Sequence, residues 1–219
     1  MMANKLMRDF SLPNRSKTTR RSALAHWVPH VNTVTTSLAM QDWLCNRDSL
    51  TARLVERCEQ FRVQRLSQQQ SRCLPDEFVE IGLSRPAKVY EREVLLRCDG
   101  VAMIYGHTVV PLSATATQWP LFHALGEKSL GSTLFNDPLV ERGALSYARL
   151  HASHPLMQRI KREVPDVTAN SLPARRSLFW RKGACLLVTE VFLPAISGLT
   201  LKQKAPLEVS QQEPLVRTA

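Results

Sequence analysis

The chain has 219 residues, 44% of them hydrophobic and 22% charged, the make-up of a globular protein long enough to bury one sizeable core. No run approaches the roughly 18 apolar residues of a membrane span, and Ser22–Cys45 is broken by His26, Pro29, His30, Asn32 and Gln41, which argues against a secretory leader. The net charge of +10 is unevenly placed: residues 1–24 hold six basic side chains against Asp9, so +5 sits there and +5 is spread over the other 195 residues, leaving a body too mildly basic to indicate nucleic acid by charge alone.

Residues 1–34 read as a basic, flexible N-terminal tail. The spacing of Leu38, Trp43 and Leu44 predicts a helix over 36–46, and Asp48-Ser49 caps a second helix running to about Cys58 through Leu50, Leu54 and Val55. Residues 60–67 alternate as a strand, and Gln68–Pro75 is polar and loop-like. Val89–Arg97, Cys98-Asp99-Gly100 and Val101–Val110 form the clearest element, because Asp-Gly between two β-rich runs is a strong hairpin signal. A short helix is expected over 117–125, then a loop from Gly126 to Gly131. Ala144–Leu150 is a candidate strand and 155–163 a short helix. A second hairpin joins Ser177–Arg181 to Ala184–Leu193 through Lys182-Gly183. The remainder, 198–219, is polar and reads as a flexible tail. Two long hairpins with interspersed helices indicate an α+β domain on an antiparallel sheet, covering 35–197. The five cysteines are odd in number and show no C-x-x-C, so reduced thiols in a cytoplasm are the simplest reading.

Two charges stand out. Side chains alternate across a strand, which puts Arg92 with Tyr90, Val94 and Leu96 on the more apolar face of its strand. Glu190 shares a face with Leu186, Val188 and Phe192, in a strand apolar on both faces. An unpaired buried charge costs several kcal/mol, on the order of magnitude seen for buried ions generally. Arg92 and Glu190 therefore need each other, other polar groups or a ligand.

These residues belong to a larger pattern. Arg92-Glu93-Val94-Leu95-Leu96, Asp99-Gly100 and Thr108-Val109-Val110-Pro111 resemble the central hairpin of chorismate pyruvate-lyases. Lys128-Ser129-Leu130-Gly131 with Leu134-Phe135 resembles that family's loop after a helix. Leu186-Leu187-Val188-Thr189-Glu190-Val191-Phe192-Leu193-Pro194 resembles its last strand, and Arg175-Arg176-Ser177 the strand before. Asp42-Trp43 and Asp48-Ser49-Leu50-Thr51 are similar to its helical pair. The motifs run in order over about 36–196.

The resemblance implies a single α+β domain with an antiparallel sheet of about six strands, helices on one side and the ligand enclosed beneath helical flaps. It implies conversion of chorismate to 4-hydroxybenzoate and pyruvate, the first committed step of ubiquinone synthesis, by a cytoplasmic monomer without metal or cofactor. By residue, it implies that Arg92 binds the ring carboxylate through a paired guanidinium–carboxylate contact, that the backbone N–H of Leu130 assists, that Leu50 lines the pocket, and that Glu190 meets the ring hydroxyl. Glu190 transfers a proton if burial raises its pKa, or only positions the substrate.

The sequence departs from the family at Gly106-His107, where the family has glycine–arginine. His107 reads as a partly exposed strand histidine, and it weakens binding if the arginine holds a second carboxylate. The stretch 137–172 is longer than the family pattern and reads as a solvated excursion. The alternative function is a non-catalytic effector-binding module of the same fold, found in some transcription regulators. That reading expects an N-terminal winged helix, and only about 35 residues precede the first matched helix. A nucleic-acid role has no zinc spacing or RNA-recognition motif behind it, so the expected partners are chorismate and 4-hydroxybenzoate, with no nucleic acid and no stable membrane insertion.

Overall fold

The computed structural model describes residues 24–201, apart from 36 and 116. Six strands form one antiparallel sheet: β1 (Phe61–Arg72), β2 (Lys88–Cys98), β3 (Val101–Pro111), β4 (Val140–His151), β5 (Ser171–Arg181) and β6 (Ala184–Phe192), in the order β1-β2-β3-β6-β5-β4. Both hairpins turn where the sequence places them. Asp99 and Gly100 have φ of 50° and 81°, and Lys182 and Gly183 have 49° and 78°. Such consecutive left-handed residues match the twist of the flanking strands. The β3–β6 pairing then zips the two hairpins together through Gly106 opposite Glu190 and Thr108 opposite Val188.

Helices α1 (Leu38–Cys45) and α2 (Leu50–Val55) start at Ser37 and Ser49, whose side chains accept hydrogen bonds from Met40 N and Ala52 N. They pack Trp43, Leu44, Leu50 and Leu54 against Val94, Leu96, Ile104 and Phe192 on one face of the sheet. Helix α3 (Leu130–Asn136) extends the same layer, with Leu134 against Phe179 and Leu186. The expected arrangement with helices on one side describes these three. Helix α4 (Pro155–Glu163) instead covers the other face, burying Leu156, Met157 and Ile160 against Leu95, Tyr105, Ala148 and Val191. Burying each such side chain contributes about 1.5–3 kcal/mol, so the sheet has a core on both faces. Among the described residues no helix is long and apolar enough to cross a membrane.

Some expectations shift. Strand β1 runs on to Arg72 through the stretch expected as a loop. It is an edge strand, so its polar side chains need no apolar alternation. The helix expected over 117–125 is only a 3-10 turn, Pro120–Phe122. Residues 24–34, expected within the N-terminal tail, lie against the sheet: Val28 and Tyr147 exchange backbone hydrogen bonds of 2.8 Å, Trp27 Nε1 donates to Asp76 at 2.9 Å, and Val34 is buried. The rest of that tail and 202–219 lie outside the described residues.

Candidate active site

Period-two alternation sets one row of side chains toward α1–α3 and the next toward α4. Across the central strands the first row contains Arg92, Val94, Gly106, Thr108, Val188, Glu190, Arg175 and Ser177, with Arg142 from β4. Helices α2 and α3 roof it with Leu50, Thr51, Leu130 and Leu134. The hollow between floor and roof holds about 680 Å³ of space between atoms, the open solvent at its mouth included. Arg92, Glu190, Leu130 and Leu50, all chosen from sequence, line this one pocket.

Arg92 is 2% exposed. Its Nη2 donates to the carbonyls of Gly126 (3.1 Å) and Lys128 (2.9 Å), while Nε is buried with no hydrogen-bond partner. Among the described residues it makes no ion pair, so of the alternatives open from the sequence the pairing with Glu190 does not form. Burial, with Arg65 adding like-charge repulsion, pulls its pKa down to about 10. A charged guanidinium thus faces the pocket without an anion.

Glu190 is held by Arg175, a member of the Arg175-Arg176-Ser177 motif whose own role the motif does not reveal. Arg175, 1% exposed, donates from Nε to Glu190 Oε2 at 2.5 Å. Its Nη1 donates to the carbonyls of Trp43 (3.2 Å), Leu44 (3.1 Å) and Asn46 (2.6 Å) at the end of α1, where a helix presents unpaired carbonyls. Arg175 therefore ties the roof to the floor and fixes the carboxylate between them. The carbonyl acceptors of Gly126 and Lys128 do the same for Arg92 and the approach to α3.

The two short roof helices meet at a close point. Thr51 Oγ1 and Ser129 Oγ share a hydrogen bond of 2.5 Å, and a Cβ at Gly131 would lie 3.2 Å from Thr51 Oγ1. Ser129 occupies the N-cap of α3 but gives its hydroxyl to Thr51 rather than to the helix. The first-turn N–H groups of α3, Leu130 among them, thus receive no side-chain cap. Thr51→Ala is expected to loosen this junction and raise the rate at which a product leaves. Stopped-flow release measurements check it, and an unchanged rate would place the gate elsewhere.

His107 belongs to the opposite row. It is fully buried rather than partly exposed, and it faces away from the pocket into a nest of carboxylates. Nε2 lies 2.8 Å from Glu77 Oε1, and Nδ1 lies 3.4 Å from Glu93 Oε1 and 3.9 Å from Glu91 Oε2. These contacts put a protonated imidazole among three carboxylates. Arg159 from α4 pairs with both Glu91 (2.9 Å) and Glu93. Burial opposes charge on His107, but Glu77, then Glu93 and Glu91, more than offset it and raise its pKa to about 10. Position 107 therefore plays no direct part in the pocket. Glu91, Glu93 and His107 are the group with metal-ligand spacing among the described residues. A protonated imidazole offers no lone pair, and Arg159 already supplies positive charge to both carboxylates, so the group fits an internal ion network better than a cation site.

Residues 22–200 match the sequence family described as chorismate lyase. The probable chorismate pyruvate-lyase of Cupriavidus metallidurans is 44% identical over 158 residues, spanning 72% of this chain and 74% of that protein. The probable chorismate pyruvate-lyase of Thiobacillus denitrificans is 39% identical over 186 residues, spanning 84% and 98%. Among solved structures, a GntR-family transcriptional regulator from Bacillus cereus aligns with a TM-score of 0.47 at 14% identity, over 67% of this chain and 98% of that one.

Proposed function

The chain belongs to the chorismate lyase family, and on that premise we propose that it converts chorismate to 4-hydroxybenzoate and pyruvate, with Arg92 and Glu190 meeting the substrate. The observation that carries the assignment of the site is Arg92: a guanidinium in the pocket wall, 2% exposed, with a free Nε and, among the described residues, no carboxylate paired with it. A bound carboxylate supplies the missing charge and accepts from the unused donors. Leu130, at the start of α3, brings a backbone N–H to the same end.

The reaction breaks the ether bond between the ring and the enolpyruvyl oxygen. The electron pair goes to that oxygen, the ring carbon bearing the hydroxyl loses its hydrogen as a proton, and the ring becomes aromatic. The departing enol takes up a proton and tautomerises to pyruvate. Aromatisation supplies the driving force, so the protein's task is to hold a reactive conformer and steady the developing charge. Arg92 anchors the ring carboxylate, Glu190 meets the hydroxyl at the far end of the ring, and Arg175 holds Glu190 in place. Leu50 and Leu130 close the apolar walls over the ring. The 4-hydroxybenzoate formed is the aromatic precursor for ubiquinone synthesis.

The test is to incubate the purified protein with chorismate, without added metal or cofactor, and separate the products by chromatography. Equal amounts of 4-hydroxybenzoate and pyruvate are expected. Glu190→Gln is expected to keep 4-hydroxybenzoate binding within a few-fold while lowering turnover about 100-fold, the scale of a lost acid–base or charge-positioning group. No product from the wild type, together with tight 4-hydroxybenzoate binding, would replace the lyase reading with that of an effector-binding module.

A further inference from the structure

We infer that Arg142 is the anchor for the second carboxylate of the substrate, the one on the side chain that leaves as pyruvate. This rests on the lyase reading of the same pocket and extends it to a residue that no pattern in the sequence singles out, in the stretch expected to be a solvated excursion.

Four ionisable side chains line the pocket: Arg92, Arg142, Arg175 and Glu190. Three positive charges against one negative leave an excess of two. Chorismate carries two carboxylates, which match that excess, whereas 4-hydroxybenzoate carries one. Arg175 is committed to Glu190 and to the three carbonyls at the end of α1. Arg92 and Arg142 remain without an ion pair among the described residues.

Arg142 is built to present a guanidinium rather than to satisfy one. Its Nη1 donates to the carbonyl of Arg47 at 2.6 Å. Its guanidinium carbon lies 5.5 Å from the ring centre of Phe135 and 5.4 Å from that of Phe179, so two aromatic faces steer it. Its Nε is buried with no hydrogen-bond partner. Burial lowers its pKa to about 10 even though Glu190 pulls the other way, which marks a charge with incomplete compensation.

The order of these groups across the floor matches the order of groups on the substrate. Arg92 stands on β2, Glu190 on β6 two strands over, and Arg142 on β4 two strands further. On chorismate the ring carboxylate lies opposite the hydroxyl, and the enolpyruvyl ether sits on the carbon next to the hydroxyl. With Arg92 on the ring carboxylate and Glu190 on the hydroxyl, the side-chain carboxylate extends to Arg142's side of Glu190. Arg142 then grips the leaving group and favours the conformer in which its bond to the ring breaks.

The experiment compares ligands with and without the second carboxylate, on wild type, Arg142→Leu and Arg142→Lys. The probes are chorismate turnover, calorimetric binding of 4-hydroxybenzoate, and binding of 3-(carboxymethoxy)-4-hydroxybenzoate, a stable aromatic dicarboxylate. Arg142→Leu is expected to lower kcat/KM for chorismate by roughly 100-fold or more, as for a truncated charge pair, and to leave the Kd of 4-hydroxybenzoate within about 3-fold. The dicarboxylate is expected to lose its advantage over 4-hydroxybenzoate in this variant and to regain part of it in Arg142→Lys. Equal losses for both ligands would overturn the inference in favour of a structural tie to Arg47. No loss for the dicarboxylate would overturn it outright. Failure of the wild type to turn over chorismate would instead remove the lyase reading on which it rests.

Discussion

An Arg92→Ala variant is expected to lose both turnover and product binding. Truncating one partner of a buried charge-assisted contact costs about 2–5 kcal/mol, which corresponds to a fall of roughly 30-fold to several thousand-fold in kcat/KM. Its effect on stability has a different sign of argument. The guanidinium is buried with two carbonyl acceptors and, among the described residues, no counter-ion, so its removal forfeits two hydrogen bonds but also relieves an uncompensated charge. The thermal midpoint is expected to stay within a few degrees of wild type, where about 1 kcal/mol moves a domain of this size by roughly 2–4 °C. Chorismate turnover and 4-hydroxybenzoate calorimetry measure the first effect, and a thermal melt the second. Retained 4-hydroxybenzoate affinity in this variant would remove Arg92 from the carboxylate end of the pocket.

On the other face of the same strands the outcome reverses. His107→Leu is expected to destabilise the fold by about 3–5 kcal/mol, because it leaves Glu77, Glu91 and Glu93 buried together with Arg159 as the cation that remains paired to Glu91 and Glu93. Catalysis per folded molecule is expected to change far less than with Arg92→Ala, since the imidazole does not reach the pocket. The wild-type network also carries a pH signature. The folded His107 pKa of about 10 lies above its ordinary 6.5, so its stabilisation is complete below 6.5 and is lost as pH rises toward 10. Burial opposes ionisation of Glu93, but His107, Tyr105 and Arg159 outweigh it and hold its pKa at about 2, below the ordinary 4.5. That contribution is complete above 4.5 and is lost as pH falls toward 2. Urea unfolding of the wild type is expected to weaken between pH 6.5 and 10, and the His107→Leu protein to lack most of that alkaline slope. Identical slopes in the two proteins would show that His107 is not charged in the folded state.

How much of this was legible in the sequence depends on what kind of signal each residue gives. The hairpins β2–β3 and β5–β6 were, because Asp99-Gly100 and Lys182-Gly183 are local turn chemistry between β-rich runs. Arg92 and Glu190 were, because a charge in an apolar row is conspicuous by alternation alone. Leu50 and Leu130 came from the resemblance, and both line the same pocket as Arg92 and Glu190. Arg142 was not legible: Val140-Glu141-Arg142-Gly143 shows no alternation, and β4 shifts register between Arg142 and Leu145, which conceals the face it belongs to. The burial of His107 is not visible in its own strand because its partners come from two other segments, residue 77 and residues 91 and 93, and Arg159, which shares the latter two, comes from a third. Periodicity within one strand cannot reveal such a nest. Arg175 stands in a motif visible in the sequence, while its role depends on the end of α1, more than 120 residues earlier in the chain.

The sequence Glu91-Arg92-Glu93 has a consequence for how this chain tolerates change. The two glutamates point to the ionic network and the arginine between them to the pocket. Inserting or deleting one residue in this strand would exchange the faces. It would deliver carboxylates to a chamber already short of negative charge by design, and it would drive a guanidinium into the place of the acids that hold His107. Length variation among natural relatives should therefore gather in the loops and the outer strands, and be absent from the stretch between Tyr90 and Leu96.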